Sequence, residues 1–501
     1  MDDLDGLTSA GRTYDLVAII GARIYTMGPN QDIHPDGAVL VVDGSILAVL
    51  SDSGLARRGV EELSATGRSD SLGLTLGMPP RTVRVVDGAG RMVLPGLVNN
   101  HFHESSLSRA LQPTLPEHDD RDWPPSPFAL GGDMDALSAR FAGIGRQSDH
   151  LDEQWCRAAA LYSLLWQLRG GTTTWADLGS LNQAHVLAQA TFDLGIRGMV
   201  SRWGADALAT NAGDVERLAD LDSEMGAVEE AMRAARSIGS PRIRAWPTFL
   251  AGFTSTDEHL CGLAAIARAH GSPLGGHFAC LDNERAHSVA CFGESPVRRF
   301  ERLGLLDERF VGVHTTHLHA QEVDAVVDSG MSVSHAPSKY GTVGENTNST
   351  AIAPELWRRG VTVTLSTDGN ALIDSTMIEA MRAAYLQHNE VNGDHRTCTP
   401  HRALAMATIE GARSLGWDDE VGSIEAGKRA DLVIVDVSQS CYAEVAHPLT
   451  QFLQLGNHRD VRTVIVDGVF LIDEGDLLVV DEERLVGQYR QALGEFRNTR
   501  A

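Results

Sequence analysis

The sequence predicts an α/β protein: a (β/α)8 TIM barrel joined to a small discontinuous β-domain that both chain ends build. Three observations carry this. Through the middle of the 501-residue chain, short apolar strands alternate with helix-length segments, the pattern of parallel β/α units. Eight such strands can be counted there. Both ends read instead as short strands separated by turn residues.

Near the start, the runs Asp15–Gly21, Gly37–Asp43, Ser45–Leu50 and Thr82–Val86 have strand character, and Asp43-Gly44 between two apolar runs is a strong hairpin signal. The stretch 51–80, rich in Gly, Ser and Arg, reads as a surface insertion. The barrel strands are expected at Met92–Val98, Thr172–Leu178, Gly198–Arg202, Arg244–Phe249, Leu274–Phe278, Phe310–His314, Met331–His335 and Val361–Ser366. Segments such as Trp155–Leu168 and Asp222–Ser237 carry helical spacing. Eight units over roughly 330 residues fit a barrel with insertions, against about 250 residues as typical. A doubly wound open sheet is the alternative, although no Gly-x-Gly-x-x-Gly turn follows a strand. Gly427–Val435, Val461–Gly468 and Leu477–Val480 return to strand character. The expected division is therefore 1–93 and 421–501 for the small domain, with a C-terminal helix, and 94–420 for the barrel.

A formal charge of −25 argues against nucleic acid or an anionic membrane as partner, because phosphates would be repelled. The N-terminus lacks the basic-then-apolar order of a signal peptide, and no apolar run reaches transmembrane length. Six scattered cysteines without a C-x-x-C pair suggest reduced thiols and a cytoplasmic setting. Lys339 and Lys428 are the only lysines.

The chemistry-bearing residues fall at strand ends. Alternate residues of a strand share a face, so His101 and His103 point the same way while Phe102 points oppositely. His277 ends the fifth strand, His314 the sixth, and Asp368 follows the eighth in Thr367-Asp368-Gly369. The C-terminal strand ends of a parallel barrel converge on one face, where active sites are built. Any one of these residues alone is satisfied by a structural role. Together, at the same end of separate strands, they predict a metal site.

The chain resembles the amidohydrolase superfamily, in its cytosine-deaminase-like and triazine-hydrolase branch. The resemblance rests on Pro95-Gly-Leu-Val-Asn-Asn-His101-Phe-His103, Gly170-Gly-Thr-Thr-Thr174, Val313-His314-Thr-Thr-His317-Leu318, His335-Ala-Pro-Ser338, Ser366-Thr-Asp368-Gly369 and Gly422–Leu432. It covers nearly the whole length. It implies a barrel with a small β-sandwich from both chain ends, and a homo-oligomer, dimer or larger. It further implies a ligand set of His101, His103, His277 and Asp368. Some relatives bridge two metals through a carboxylated lysine of the fourth strand, but no lysine precedes Lys339, so one divalent ion is expected. Zinc is the first choice; Fe2+ or Mn2+ accept the same donors. The implied reaction is attack of ion-activated water on an electrophilic carbon. Asp368 takes the water proton and His314 polarises the attacked group.

One departure stands out. Deaminase-like relatives carry His-x-x-Glu on the fifth strand, whereas Cys280 occupies the glutamate position here. A thiol near pKa 8.5 is a poor proton shuttle, so Glu284 or Glu104 are weighed as substitutes. Lys339, His335, His317, Cys280 and Trp203 are the candidate substrate-binding residues. Trp203 and Phe249 are candidate stacking surfaces, and the proline-rich segment 112–132 is a candidate lid. The expected function is a mononuclear metal-dependent hydrolase acting on a C–N bond of a small nitrogen-rich cyclic compound, releasing ammonia or an amine. Amide, urea or carbamate hydrolysis and removal of ring halogen use the same site. A barrel that kept its fold and lost catalysis is the reading from a different class.

Overall fold

Asp43 and Gly44 both have positive φ, 49° and 73°, the backbone of a tight hairpin between β2 (Ile33–Val42) and β3 (Ser45–Leu50). A computed structural model describes residues 6–104, 133–139, 151–179, 183–202, 204–210, 212–343, 345–369, 375–443 and 447–498. β1 (Leu16–Tyr25) lies antiparallel to β2, and its side chains alternate between two apolar layers. Leu16, Ala18 and Ile20 meet Ala56, Val60 and Leu63 of α1 (Ser53–Thr66) on one face. The stretch 51–80 is therefore not a plain surface insertion. Its polar composition conceals an i, i+4, i+7 apolar stripe that closes one side of the sheet. On the other face, Val17, Ile19, Val39 and Val41 pack with Leu432, Ile434, Ile465 and Phe470 from the far end of the chain.

β4 (Val83–Asp87) pairs parallel with the start of β1, and β5 (Arg91–Pro95) pairs parallel with its end. The expected strand Met92–Val98 breaks at Gly96. A Cβ there would sit 2.0 Å from Thr173 Oγ1, so only glycine fits the point where the chain leaves the small sheet for the barrel. β6 (Leu97–Phe102) then starts a parallel four-strand ladder with β7 (Thr172–Asp177), β8 (Arg197–Val200) and β9 (Ile243–Ala245). α2 (Glu153–Arg169) and α3 (Leu221–Ser237) occupy the connections expected to be helical.

The fourth barrel strand is interrupted at Trp246-Pro247, because proline has no N–H for the ladder. It resumes as β10 (Thr248–Ala251), first of five parallel strands with β11 (Leu274–Phe278), β12 (Phe310–His314), β13 (Ser332–His335) and β14 (Thr362–Leu365). α4 (Pro337–Val343) follows β13, and α5 (Met377–Asn392) follows β14. Between β14 and β6 the seam carries a backbone bond, Asp368 N–H to the His101 carbonyl at 3.1 Å. The sequential parallel order is that of the barrel, and the doubly wound alternative is set aside.

β15 (Leu432–Asp436) returns to pair antiparallel with β5, followed by β16 (Val461–Val466), β17 (Val469–Asp473) and β18 (Asp476–Leu477). Arg197 of β8 reaches from the barrel into this sheet. Its Nε and Nη2 bond the two oxygens of Asp431 at 2.7 and 3.1 Å, and Asp467 completes the group. Arg197 and Asp431 are almost wholly excluded from solvent. The Gly-Lys-Arg-Ala-Asp431 motif thus serves as a buried charged clasp between the two sheets. The C-terminal α6 (Glu482–Asn498) lays Tyr489 against Tyr162 of α2, ring centroids 4.2 Å apart.

Candidate metal centre

His101 near the end of β6, His103 just beyond it, His277 on β11 and Asp368 after β14 converge, their ligand atoms all within 4.8 Å of one another. The Nε2 atoms of His101 and His103 are 3.0 Å apart, and those of His103 and His277 3.4 Å apart. Asp368 Oδ1 lies 3.7 Å from His101 Nε2 and 3.8 Å from His103 Nε2.

Local structure sets these positions. Asn99, two residues before His101, receives the Thr367 N–H on Oδ1 at 3.1 Å and donates from Nδ2 to Thr367 Oγ1 at 2.7 Å. It ties the first barrel strand to the last beside the centre. Sequence reasoning missed it, since a buried strand asparagine carries no spacing signal. A Cβ on Gly369 would lie 2.7 Å from that of His103, which explains the Thr-Asp-Gly turn. Ala279, His314, Thr315 and Asp368 all have positive φ, between 48° and 72°. For alanine and a β-branched threonine this backbone is costly, and such strain gathers where side chains are held for function.

The donor set fits a divalent cation. His101 is wholly buried, and burial holds its imidazole far below the usual range; burial brings His103 to about 3 and lowers His277. Neutral rings offer lone pairs. His277 Nδ1 donates to the Leu250 carbonyl, which leaves its Nε2 lone pair facing the other donors. Burial opposes ionisation of Asp368, but the Lys339 ammonium and the surrounding imidazoles prevail and bring its pKa to about 2. Three neutral imidazoles and one carboxylate suit zinc, iron(II) or manganese.

Around this group stand His314, Lys339 and Glu345. His314 Nε2 is 3.4 Å from Asp368 Oδ2. Lys339 Nζ is 3.7 Å from the same oxygen and 2.7 Å from Glu345 Oε1. Glu345 was also missed, for it lies in the aperiodic stretch Gly341–Thr350. The remaining candidates are placed elsewhere. His335 turns into the protein, its Nε2 2.8 Å from His388 Nε2 of α5, so it does not face the donor group. His317 Nδ1 lies 3.9 Å from Asp282 in a cleft with Arg285, Thr350 and Ile352. Phe249 is fully buried against Phe300 and Phe310, a core residue and not a stacking surface. Trp203 and the segment 112–132 lie outside the described residues.

The possible stand-ins for the missing glutamate are committed as well. Glu284 accepts the backbone N–H groups of Ala279, Cys280 and Leu281 at 3.2, 2.7 and 3.4 Å, bracing the loop after β11. Glu104, buried, accepts from Ser163 Oγ at 2.6 Å. Burial, then Glu284, pushes the Cys280 thiol well above its ordinary value, so it stays protonated.

Residues 92–471 match the amidohydrolase family. The chain is 29% identical over 465 residues to the 5'-deoxyadenosine deaminase of Methanothermobacter thermautotrophicus, covering 92% of this chain and 99% of that one. A 5-methylthioadenosine/S-adenosylhomocysteine deaminase of Moorella thermoacetica is 29% identical over 411 residues, 81% of this chain and 87% of the relative. Among solved structures, a zinc-bound adenosine deaminase from Xanthomonas campestris superposes with a TM-score of 0.79 at 26% identity, covering 96% and 98% of the two chains. Zinc-complexed atrazine chlorohydrolase of Arthrobacter aurescens superposes with a TM-score of 0.75 at 22% identity, over 95% and 100%, a likeness of fold.

Proposed function

The chain belongs to the amidohydrolase family, and from that premise we propose that it uses one divalent cation, zinc first, to hydrolyse a C–N bond of a small nitrogen-rich ring with release of ammonia. The observation that carries this is the convergence of three neutral imidazoles and one ionised carboxylate, with His314 and Lys339 against the carboxylate's second oxygen. When bound, the cation supplies Lewis-acid activation of water, whose pKa of about 15.7 falls toward about 7 in favourable zinc sites.

The chain's own groups do the rest. His101, His103, His277 and Asp368 hold the ion. Asp368 Oδ2 takes the proton of the attacking water, and His314 donates a hydrogen bond to the attacked group as charge builds there. Lys339 and Glu345 form a charged wall beside them. Glu345 is the carboxylate we assign to the proton relay that Cys280 cannot provide. Cys280 and His317, which lie outside the donor group, are assigned to substrate contact as part of the same proposal. The nucleoside deaminases among the relatives make adenine-bearing nucleosides the first substrates to try. A reduced, cytoplasmic setting agrees with six free cysteines, and no helix among the described residues is long and apolar enough to cross a membrane. Assembly as a homo-oligomer belongs to the same proposal.

The test is enzyme-coupled detection of ammonia from adenosine, 5'-deoxyadenosine, methylthioadenosine, S-adenosylhomocysteine, cytosine and amino-triazines. Release from at least one, abolished by Asp368→Asn, is expected. Silence across the panel from protein carrying one zinc per chain would overturn it. Cys280 favours a second reading, hydrolytic removal of a leaving group that needs no proton, such as ring chloride; chloride release from a chloro-triazine tests that.

A further inference from the structure

Tyr340 of α4 is 2% exposed, and its hydroxyl has two neighbours: the Ala336 backbone N–H at 3.3 Å and His314 Nδ1 at 2.9 Å. A phenol carries one proton and accepts through its oxygen lone pairs. The backbone N–H can only donate, so the oxygen accepts there. If His314 Nδ1 carried a proton too, the oxygen would accept twice. The buried phenol proton would then have no acceptor among the described residues, a costly arrangement. The consistent assignment has Tyr340 donating to Nδ1, which places the imidazole proton on Nε2. That atom faces Asp368 Oδ2 at 3.4 Å.

From this geometry we infer that Tyr340 is a positioning residue that locks His314 in the Nε2–H tautomer, making it a hydrogen-bond donor to the substrate and barring it from ligating the cation. The inference rests on the role assigned to His314 above. It explains why, of the four imidazoles and one carboxylate at the centre, His314 alone is not among the proposed ligands: an N–H has no lone pair to give. His277 shows the opposite arrangement. Its Nδ1–H is held by the Leu250 carbonyl, so its Nε2 lone pair is free. The two rings stack 5.3 Å apart at an interplanar angle of 24°, yet carry opposite tautomers, each set by what its Nδ1 meets. One is acceptor-held and ligates; the other is donor-held and does not.

The test reads the tautomer directly. Nitrogen NMR of zinc-loaded enzyme labelled at its histidine rings, with His314 assigned by loss of its signals in His314→Asn, should show a proton on Nε2 and a bare Nδ1. In Tyr340→Phe, the Nδ1 resonance should shift and both tautomers should appear. Turnover should fall about 10- to 100-fold with KM within about twofold, as for lost support behind a site histidine. A proton on Nδ1 in the unmutated enzyme overturns the inference, whether or not Tyr340→Phe folds. So does a tautomer that Tyr340→Phe leaves unchanged. The readout is independent of activity. An Nε2 proton in an enzyme that releases no ammonia upholds the tautomer and sinks the hydrolase reading, and ammonia release with an Nδ1 proton does the reverse.

Discussion

Replacing Lys339 with methionine should tighten zinc binding while slowing catalysis. The ammonium lies 3.7 Å from Asp368 Oδ2 and 2.7 Å from Glu345 Oε1. At an effective dielectric of about 20, Coulomb's law gives about 4.5 kcal/mol for the Lys339–Asp368 pair at 3.7 Å. An incoming cation must share that carboxylate with the ammonium and be repelled by it. Lys339→Met removes both effects and leaves Glu345 as an extra negative charge nearby. Relaxation and the changed hydration of Glu345 absorb much of the gross figure, so a net gain of about 1 to 2 kcal/mol is expected, or about five- to thirtyfold in affinity. Competition against a chromophoric chelator at pH 7 measures it. If instead the ammonium acts chiefly to hold Asp368 in place, the variant will bind zinc more weakly. Affinity that falls, or stays within twofold, refutes the electrostatic reasoning. Ammonia release by the loaded variant should drop even as binding tightens.

Other consequences follow from individual contacts. Arg197→Leu leaves Asp431 buried without its bidentate partner, which should cost about 3 to 5 kcal/mol and lower the chemical-denaturation midpoint; an unchanged midpoint would show that the clasp is dispensable. Burial holds His388 at about 4, below the ordinary 6.5, so the folded protein binds fewer protons between those values. Stability from this group is therefore full above pH 6.5 and lost on acidification, by about 2 kcal/mol at pH 5. The denaturation midpoint of metal-free protein should fall from pH 7 to pH 5, and His388→Leu should shrink that fall; an identical pH slope would contradict the assignment. Cys280→Glu places a second carboxyl beside buried Glu284, so it should destabilise the loop after β11 and fail to speed deamination. A gain in turnover would show that the fifth-strand position still supports a proton shuttle. Glu345→Gln should lower turnover per bound zinc at least tenfold, and parity with the parent enzyme would remove Glu345 from the relay.

What the sequence revealed of this site followed from periodicity. His101 and His103 share a face because strand side chains alternate, and the strands Leu274–Phe278 and Phe310–His314 form with the expected bounds, so His277 and His314 stand where counting put them. Contacts between segments without a period were hidden. Glu345 sits in aperiodic chain, the Asn99–Thr367 tie joins residues 268 apart, and Tyr340 meets His314 across two different β/α units. His335, a candidate substrate contact through its place in His335-Ala-Pro-Ser338, has its Nε2 against that of His388 in α5, a contact that no spacing announces. Residues 51–80 misled through composition, where three apolar side chains at helical spacing outweighed the polar majority. Pro247 splits a strand that its apolar run suggested was continuous, since hydropathy does not register a missing N–H.

Zinc content together with zinc K-edge absorption on the purified enzyme tests the ligand set itself. One zinc per chain ligated by three imidazoles and oxygen is expected, with Asp368→Asn or His277→Asn sharply reducing occupancy. Protein that binds no metal, a thiolate ligand from Cys280, or a fourth imidazole from His314 would contradict it.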